Sequence, residues 1–200
     1  MRDAIRSRLK EAAFSYLARH SASMTRLRQV LARRLARWRE TACLPAADRS
    51  ALVEEVVREM VALDLVNDRR FARERARALL RRGLGPPAIR HRLVALGISP
   101  ADAEAAVGDV LGGEDAGTQE AVLLQAALAY ARRRRLGPFA GAGDRRKRPD
   151  PRERARALAA FQRRGLPVDL ARIILEAPDE PALVAALTEH GLAPADPEEG

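Results

Sequence analysis

Apolar residues recur at helical spacing along most of the chain. Leu9, Ala13, Tyr16 and Leu17 fall on one stripe, Leu27, Leu31, Leu35 and Trp38 on a second, and Leu52, Val56, Met60 and Leu63 on a third. The period continues in Phe71, Ala72, Ala76, Leu79 and Leu80, which predicts a helix from about Asp68 to Arg82, and then in Ile89, Leu93 and Leu96. Start and stop signals frame these stripes. Ser99 precedes Pro100 and Asp102, an N-cap followed by a first-turn proline and an acid, and Asp150, Pro151 and Glu153 repeat the device. Gly83, Gly97, Gly137 and Gly165 follow apolar runs and suit the left-handed conformation that ends a helix. A last short helix is expected at about 182–190, before an acidic, proline-containing tail that is expected to be disordered.

The stripes recur in register. Shifting by 62 positions lays Leu17, Arg19, Ser23, Leu27 and Leu31 on Leu79, Arg81, Gly85, Ile89 and Leu93. Shifting by 52 lays Arg81, Arg82, Gly85 and Pro86 on Arg133, Arg134, Gly137 and Pro138. After an insertion, Leu93, Gly97 and Val107 match Phe161, Gly165 and Leu175. A unit of this length suits about three short helices. The expected fold is all-α: three tandem three-helix repeats, residues 1–68, 69–131 and 132–200, in an elongated, curved array. The third repeat carries a mobile basic loop at 139–150, rich in Gly and Arg, and the acidic tail.

Composition agrees with packed helices. Hydrophobic residues make up 47% of the 200 and aromatics only 4%, so Leu and Ala supply most of the apolar surface. The longest apolar runs, such as Ala126 to Ala131, are far short of the ~20 residues of a membrane span. No membrane partner is expected, and the chain reads as cytoplasmic. Cys43 is the sole cysteine, expected to be at least partly buried, so neither an intrachain disulfide nor a thiolate cluster can form.

Charge adds a second periodicity. The net charge of +9 resolves into alternating blocks: +8 over residues 1–40, −4 over 41–68, +8 over 69–97, −6 over 98–131, +10 over 132–166 and −7 over 167–200. A basic chain of this kind favours a polyanionic partner. Since Lys10 and Lys147 are the only lysines, the bias is almost wholly arginine, which base composition alone can produce.

Position says more than number. At 100° per residue, Arg70, Arg73, Arg77 and Arg81 fall within about 80° of one another, opposite the Phe71–Leu80 stripe. Arg26, Arg33 and Arg37 oppose the Leu27 stripe, and Arg90 and Arg92 flank that of Ile89. With Arg82, Arg133 and Arg134 they are the candidate contacts to a filament or nucleic acid. The ordinary alternative is a set of solvated helix faces. Arg132 to Arg135 span about 300°, so only part of that run faces a single partner.

Other chemistry finds little support. His20, His91 and His190 are scattered without metal-ligand spacing. There is no phosphate-binding Gly-Lys-Ser/Thr loop, no Gly-x-Ser-x-Gly elbow and no third glycine after Gly83 and Gly85 for a dinucleotide site. Asp102, Glu104 and Asp109 read as helix-terminal and solubilising charges. Tyr16, Trp38, Phe71 and Phe161 fall at core positions and are not available for base stacking. The expectation is a binding protein, with no enzymatic activity and no cofactor or metal.

One stretch carries a family pattern: Leu65-Val66-Asn67-Asp68-Arg69-Arg70-Phe71-Ala72-Arg73, then Arg81-Arg82-Gly83-Leu84-Gly85-Pro86-Pro87-Ala88-Ile89-Arg90-His91-Arg92-Leu93, then Gly97-Ile98. It resembles the RecX regulatory family, whose members read Leu-Asp-Asp, Arg-Phe-Ala, Arg-x-x-Gly-x-Gly-Pro, Ile-x-x-Glu-Leu and Lys-Gly-Ile. The central match covers 64–107, with weaker agreement over most of the chain. Asn67, His91-Arg92 and the long loop of the third repeat depart from the pattern. The resemblance implies a non-enzymatic modulator of the RecA recombinase, active in the setting of homologous recombination, DNA repair and the SOS response. Such a protein binds the RecA filament on single-stranded DNA and restrains strand exchange, ATPase and co-protease activities. Direct DNA contact is left open by the resemblance, and a monomer is expected. Two other readings are a general nucleic-acid-binding helical protein with no recombinase partner, and a helix-turn-helix repressor. The repressor lacks Asn or Gln at base-reading positions of the helices around Arg77 and Ile89.

Overall fold

The computed structural model describes residues 2–42, 44–113, 115–140 and 150–192. These form ten α-helices and no strand: α1 (Arg2–Leu17), α2 (Met24–Leu35), α3 (Ala46–Ala62), α4 (Asp68–Arg81), α5 (Pro86–Ala95), α6 (Pro100–Leu111), α7 (Ala116–Arg134), α8 (Pro151–Arg163), α9 (Val168–Glu176) and α10 (Glu180–Glu189). Single 3₁₀ turns lie at Arg39–Thr41 and Gly137–Phe139. Cys43, the interior of the expected basic loop (141–149) and the acidic end (193–200) lie outside the described residues. No helix among the described residues is long and apolar enough to cross a membrane.

The expected punctuation is in place. Ser99 Oγ accepts from the Asp102 amide at 3.0 Å, and Asp150 accepts from Arg152 at 3.2 Å. Gly83, Gly97, Gly137 and Gly165 all have positive φ. Two details differ from the periodic reading. Leu63 lies one residue beyond α3 and is 52% exposed, because the helix ends at Ala62 and Asp64 turns the chain with φ +52°; Val53 and Val57 face the core in its place. Trp38 lies beyond the end of α2, in extended backbone before the first 3₁₀ turn. The charge boundary at 131/132 falls inside α7, so charge alternation and helix boundaries are offset there.

The chain divides into two compact units, Met1–Glu74 with Leu93–Ala103, and Arg75–Arg92 with Glu104–Gly200. In the first, α1, α2 and α3 enclose a core of Ile5, Leu9, Ala13, Leu27, Leu31, Leu35, Leu52, Val56 and Met60. Ser23 is fully buried, caps α2 through the Arg26 amide and donates to the Leu96 carbonyl at 2.7 Å. Asp68, partly buried, accepts from the Met24 amide at 2.8 Å. In the second unit α7, α8, α9 and α10 surround Leu124, Ala127, Tyr130, Phe161, Leu170, Ile174 and Leu187. Tyr130 meets Phe161 edge to face at 4.9 Å, the arrangement aromatic quadrupoles favour.

Candidate nucleic-acid interface

The basic side chains sort by what lies beside them. In the first unit, carboxylates of α3 and the 3₁₀ turn take up all four cations of α1 and one of α2. Arg2 reaches Glu55 at 2.6 Å, Arg6 reaches Glu59 at 3.0 Å, Lys10 also bonds Glu59, Arg8 reaches Glu40 at 2.9 Å, and Arg28 reaches Glu54 at 2.7 Å. The Lys10 hydrogen bond, with the charges of Lys10 and Arg6, holds the Glu59 carboxyl below its ordinary value against the opposing effect of burial. These arginines are therefore committed within the fold.

In the second unit a repeated tetrapeptide governs the arrangement. Arg81-Arg82-Gly83-Leu84 closes α4 and Arg163-Arg164-Gly165-Leu166 closes α8. Both glycines have φ +71°, and the following leucine amides bond back to Leu79 at 3.2 Å and to Phe161 at 3.1 Å. This is the glycine-closed helix end that satisfies terminal carbonyls. The first turn then packs against the second: the Gly85 amide donates to the Arg164 carbonyl at 2.8 Å. A Cβ at Gly85 would fall on the Gly165 carbonyl, so only glycine allows the approach.

Two arginines brace this contact. Arg164 stacks on Tyr130, 4.4 Å from the ring centre, and donates to the Gly83 carbonyl at 3.3 Å. Arg133 donates to the Arg82 carbonyl at 2.6 Å. Cations at helix C-terminal carbonyls complement the partial negative charge there. Beside them opens a cleft of about 670 Å³ whose lining includes His91 and Arg92 of α5, Arg134 of α7, and Arg163 and Arg164 at the end of α8. Among the described residues no carboxylate lines it. Arg92, Arg134 and Arg163 are exposed and make no ion pair among the described residues.

The candidate residues read from the sequence thus occupy different circumstances. Arg26, Arg33, Arg37, Arg77, Arg81, Arg82, Arg92 and Arg134 are exposed without a carboxylate partner among the described residues, and Arg73 is exposed as well. Arg70 instead clamps the entry of α4, bonding the Asp64 carboxylate at 2.6 Å and the Asp64 carbonyl at 2.7 Å, which with Asn67 keeps that carboxyl ionised below the usual range. Arg90 pairs with Glu104 at 2.9 Å, and Arg133 is a bracing residue. Sequence reasoning missed Arg163 and Arg164. The duplicated Arg-Arg-Gly-Leu was the available signal, but the alignment that placed Gly165 on Gly97 concealed it. Among the described residues no group of three or more His, Cys, Asp or Glu is placed to hold a metal.

The described residues are all helical, with glycine-closed turns flanked by arginines, and comparison with known proteins makes this class of fold specific. The family model described as "RecX, second three-helix domain" matches residues 67–107, which hold α4, α5 and the greater part of α6. The "Regulatory protein RecX" of Myxococcus xanthus (strain DK1622) is 31% identical over 170 residues, covering 84% of each chain. The crystal structure of RecX from Lactobacillus salivarius superposes with a TM-score of 0.57 at 18% identity, covering 87% of this chain and 96% of that one, which is a likeness of fold. The chain belongs to the RecX family of regulatory proteins.

Proposed function

We propose that the protein is a non-enzymatic inhibitor of the RecA recombinase that binds the RecA filament on single-stranded DNA through its uncompensated arginines. The observation that carries this reading is the set of exposed arginines on α2, α4, α5 and α7 that no carboxylate among the described residues neutralises, in a chain of the RecX family. Many such charges, each contributing little, act together on a polyanionic lattice and need no base-specific contact. Tyr130 and Phe161 are buried, so base stacking has no platform at those two rings. We further assign the repeats to the helix sets beginning at α1, α4 and α7, since the Arg81-Arg82 and Arg133-Arg134 pairs then occupy matching helix ends. The protein acts as a monomer in the cytoplasm.

The test is the rate of single-stranded-DNA-dependent ATP hydrolysis by the cognate RecA, titrated with this protein at fixed salt. Inhibition at substoichiometric ratios is expected, and reversal of Arg77, Arg81 and Arg92 to Glu should remove it while helical content stays constant. Unchanged inhibition by the reversed variant would reject the basic surface. No inhibition by the wild type, together with salt-sensitive binding to naked DNA, would favour a general nucleic-acid-binding protein.

A further inference from the structure

The cleft beside the two glycine turns has features that a merely solvated basic surface lacks. It is concave, its cations come from three helices, and one of the lining cations is fixed. Arg164 is held by stacking on Tyr130 and by the Gly83 carbonyl, so its position is set before any ligand arrives. Pre-ordering of this kind removes part of the entropy a long side chain loses on binding. Arg92, Arg134 and Arg163 line the same cleft and make no ion pair among the described residues. Mutual repulsion among like charges in a shared cleft is relieved by an anion, and planar guanidinium groups suit paired bonds to phosphate oxygens.

We infer that this cleft is a phosphate-binding site that grips the backbone of single-stranded nucleic acid, with Arg92, Arg134 and Arg163 as the contacting residues and Arg164 as the positioning residue. The inference rests on the filament reading for the source of the phosphate and adds a direct, sequence-independent contact to the nucleic acid. Gln162 and His91 on the lining offer further polar groups to backbone oxygens. Because the flanking turn is sealed by Gly85 against Gly165, the cleft's shape is a property of the fold of this unit.

The experiment measures binding of a fluorescent oligo(dT) to the full chain by anisotropy over a range of salt. Wild type is compared with Arg134→Glu/Arg163→Glu and with Arg134→Lys/Arg163→Lys, each checked by thermal melting. The double reversal should bind about tenfold more weakly at fixed salt, and its log K against log[salt] slope should shrink by about 1.4, near 0.7 for each lost contact to a single strand. The lysine variant, retaining charge, should keep most of the slope. Unchanged affinity and slope in a folded reversal variant would overturn the site. Inorganic tripolyphosphate distinguishes the source: displacement of the oligonucleotide only at millimolar concentration supports a backbone site, and displacement at micromolar concentration would overturn it in favour of a free polyphosphate ligand. If the reversal abolishes oligonucleotide binding yet inhibits RecA like wild type, the cleft stands and the basic-surface account of inhibition falls.

Discussion

The face of α1 on α3 in the first unit and the turn-to-turn contact in the second use the same residue for opposite purposes. In the first, arginines of α1 and Arg28 of α2 face Glu40, Glu54, Glu55 and Glu59, and their charge is spent within the fold. In the second, Arg133 and Arg164 are bonded to backbone carbonyls, and Arg92, Arg134 and Arg163 beside them make no ion pair among the described residues. Residues 1–40 carry +8 and residues 132–166 carry +10, so charge per segment barely separates them. What separates them is where the acidic residues fold: carboxylates of α3 reach α1 and Arg28 of α2, whereas the turn-to-turn contact of the second unit presents carbonyls. A carbonyl orients a guanidinium without neutralising it, which leaves a charge available to a ligand.

The strongest way to break this contrast is to pry the turns apart. Gly85→Ala forces a methyl group onto the Gly165 carbonyl and should cost about 2–3 kcal/mol in urea denaturation, with loss of oligonucleotide binding as the cleft deforms. Arg164→Ala removes the stack on Tyr130 and the bonds to the turn carbonyls. It should cost about 1–2 kcal/mol and weaken oligonucleotide binding with a smaller change in salt slope than the Arg134/Arg163 reversal.

Glu55→Gln/Glu59→Gln tests the other side. It frees Arg2, Arg6 and Lys10, and should raise oligo(dT) affinity by roughly two- to fivefold at low salt. An unaltered affinity would show that pairing is not what withholds these cations. The same pairs set a pH dependence. Glu59 has its folded value lowered beneath the ordinary 4.5, so its stabilising contribution is complete above that value and lost as the pH falls through the lowered one. Melting temperature should therefore decline below about pH 4.5, and less steeply in Glu59→Gln. The smallest effect is expected at Asp68, whose carboxyl is raised by burial while accepting from the Met24 amide. Asp68→Asn keeps an acceptor oxygen and should change stability by no more than about 0.5 kcal/mol, whereas Asp68→Ala should cost about 1 kcal/mol.

The all-helical fold was legible because stripes, caps and glycine stops agree locally. The stretch from Leu27 to Leu35, Ser99 before Pro100, and Gly83 after Leu80 each specify their element from within one turn of chain. Errors arose where a stripe ran past its stop, as at Leu63, since periodicity does not register a left-handed residue such as Asp64. The site was less legible. Helical angles placed Arg77, Arg81 and Arg92 on exposed faces, but they cannot show that Arg70 is held by Asp64, that Arg90 meets Glu104, or that Arg164 lies over Tyr130. Those are contacts between elements, and only the folded chain decides which arginine finds an acid, a carbonyl or solvent.

The central claim is that available arginines, and not total basic charge, form the binding surface. Arginine-selective modification with phenylglyoxal, read residue by residue by mass spectrometry with and without the cognate RecA filament on oligo(dT), tests it most directly. The account predicts that Arg92, Arg134 and Arg163 react in the free protein and are protected by the filament, while Arg6 and Arg28 change little. Protection spread evenly over all arginines, or confined to those of the first unit, would contradict it.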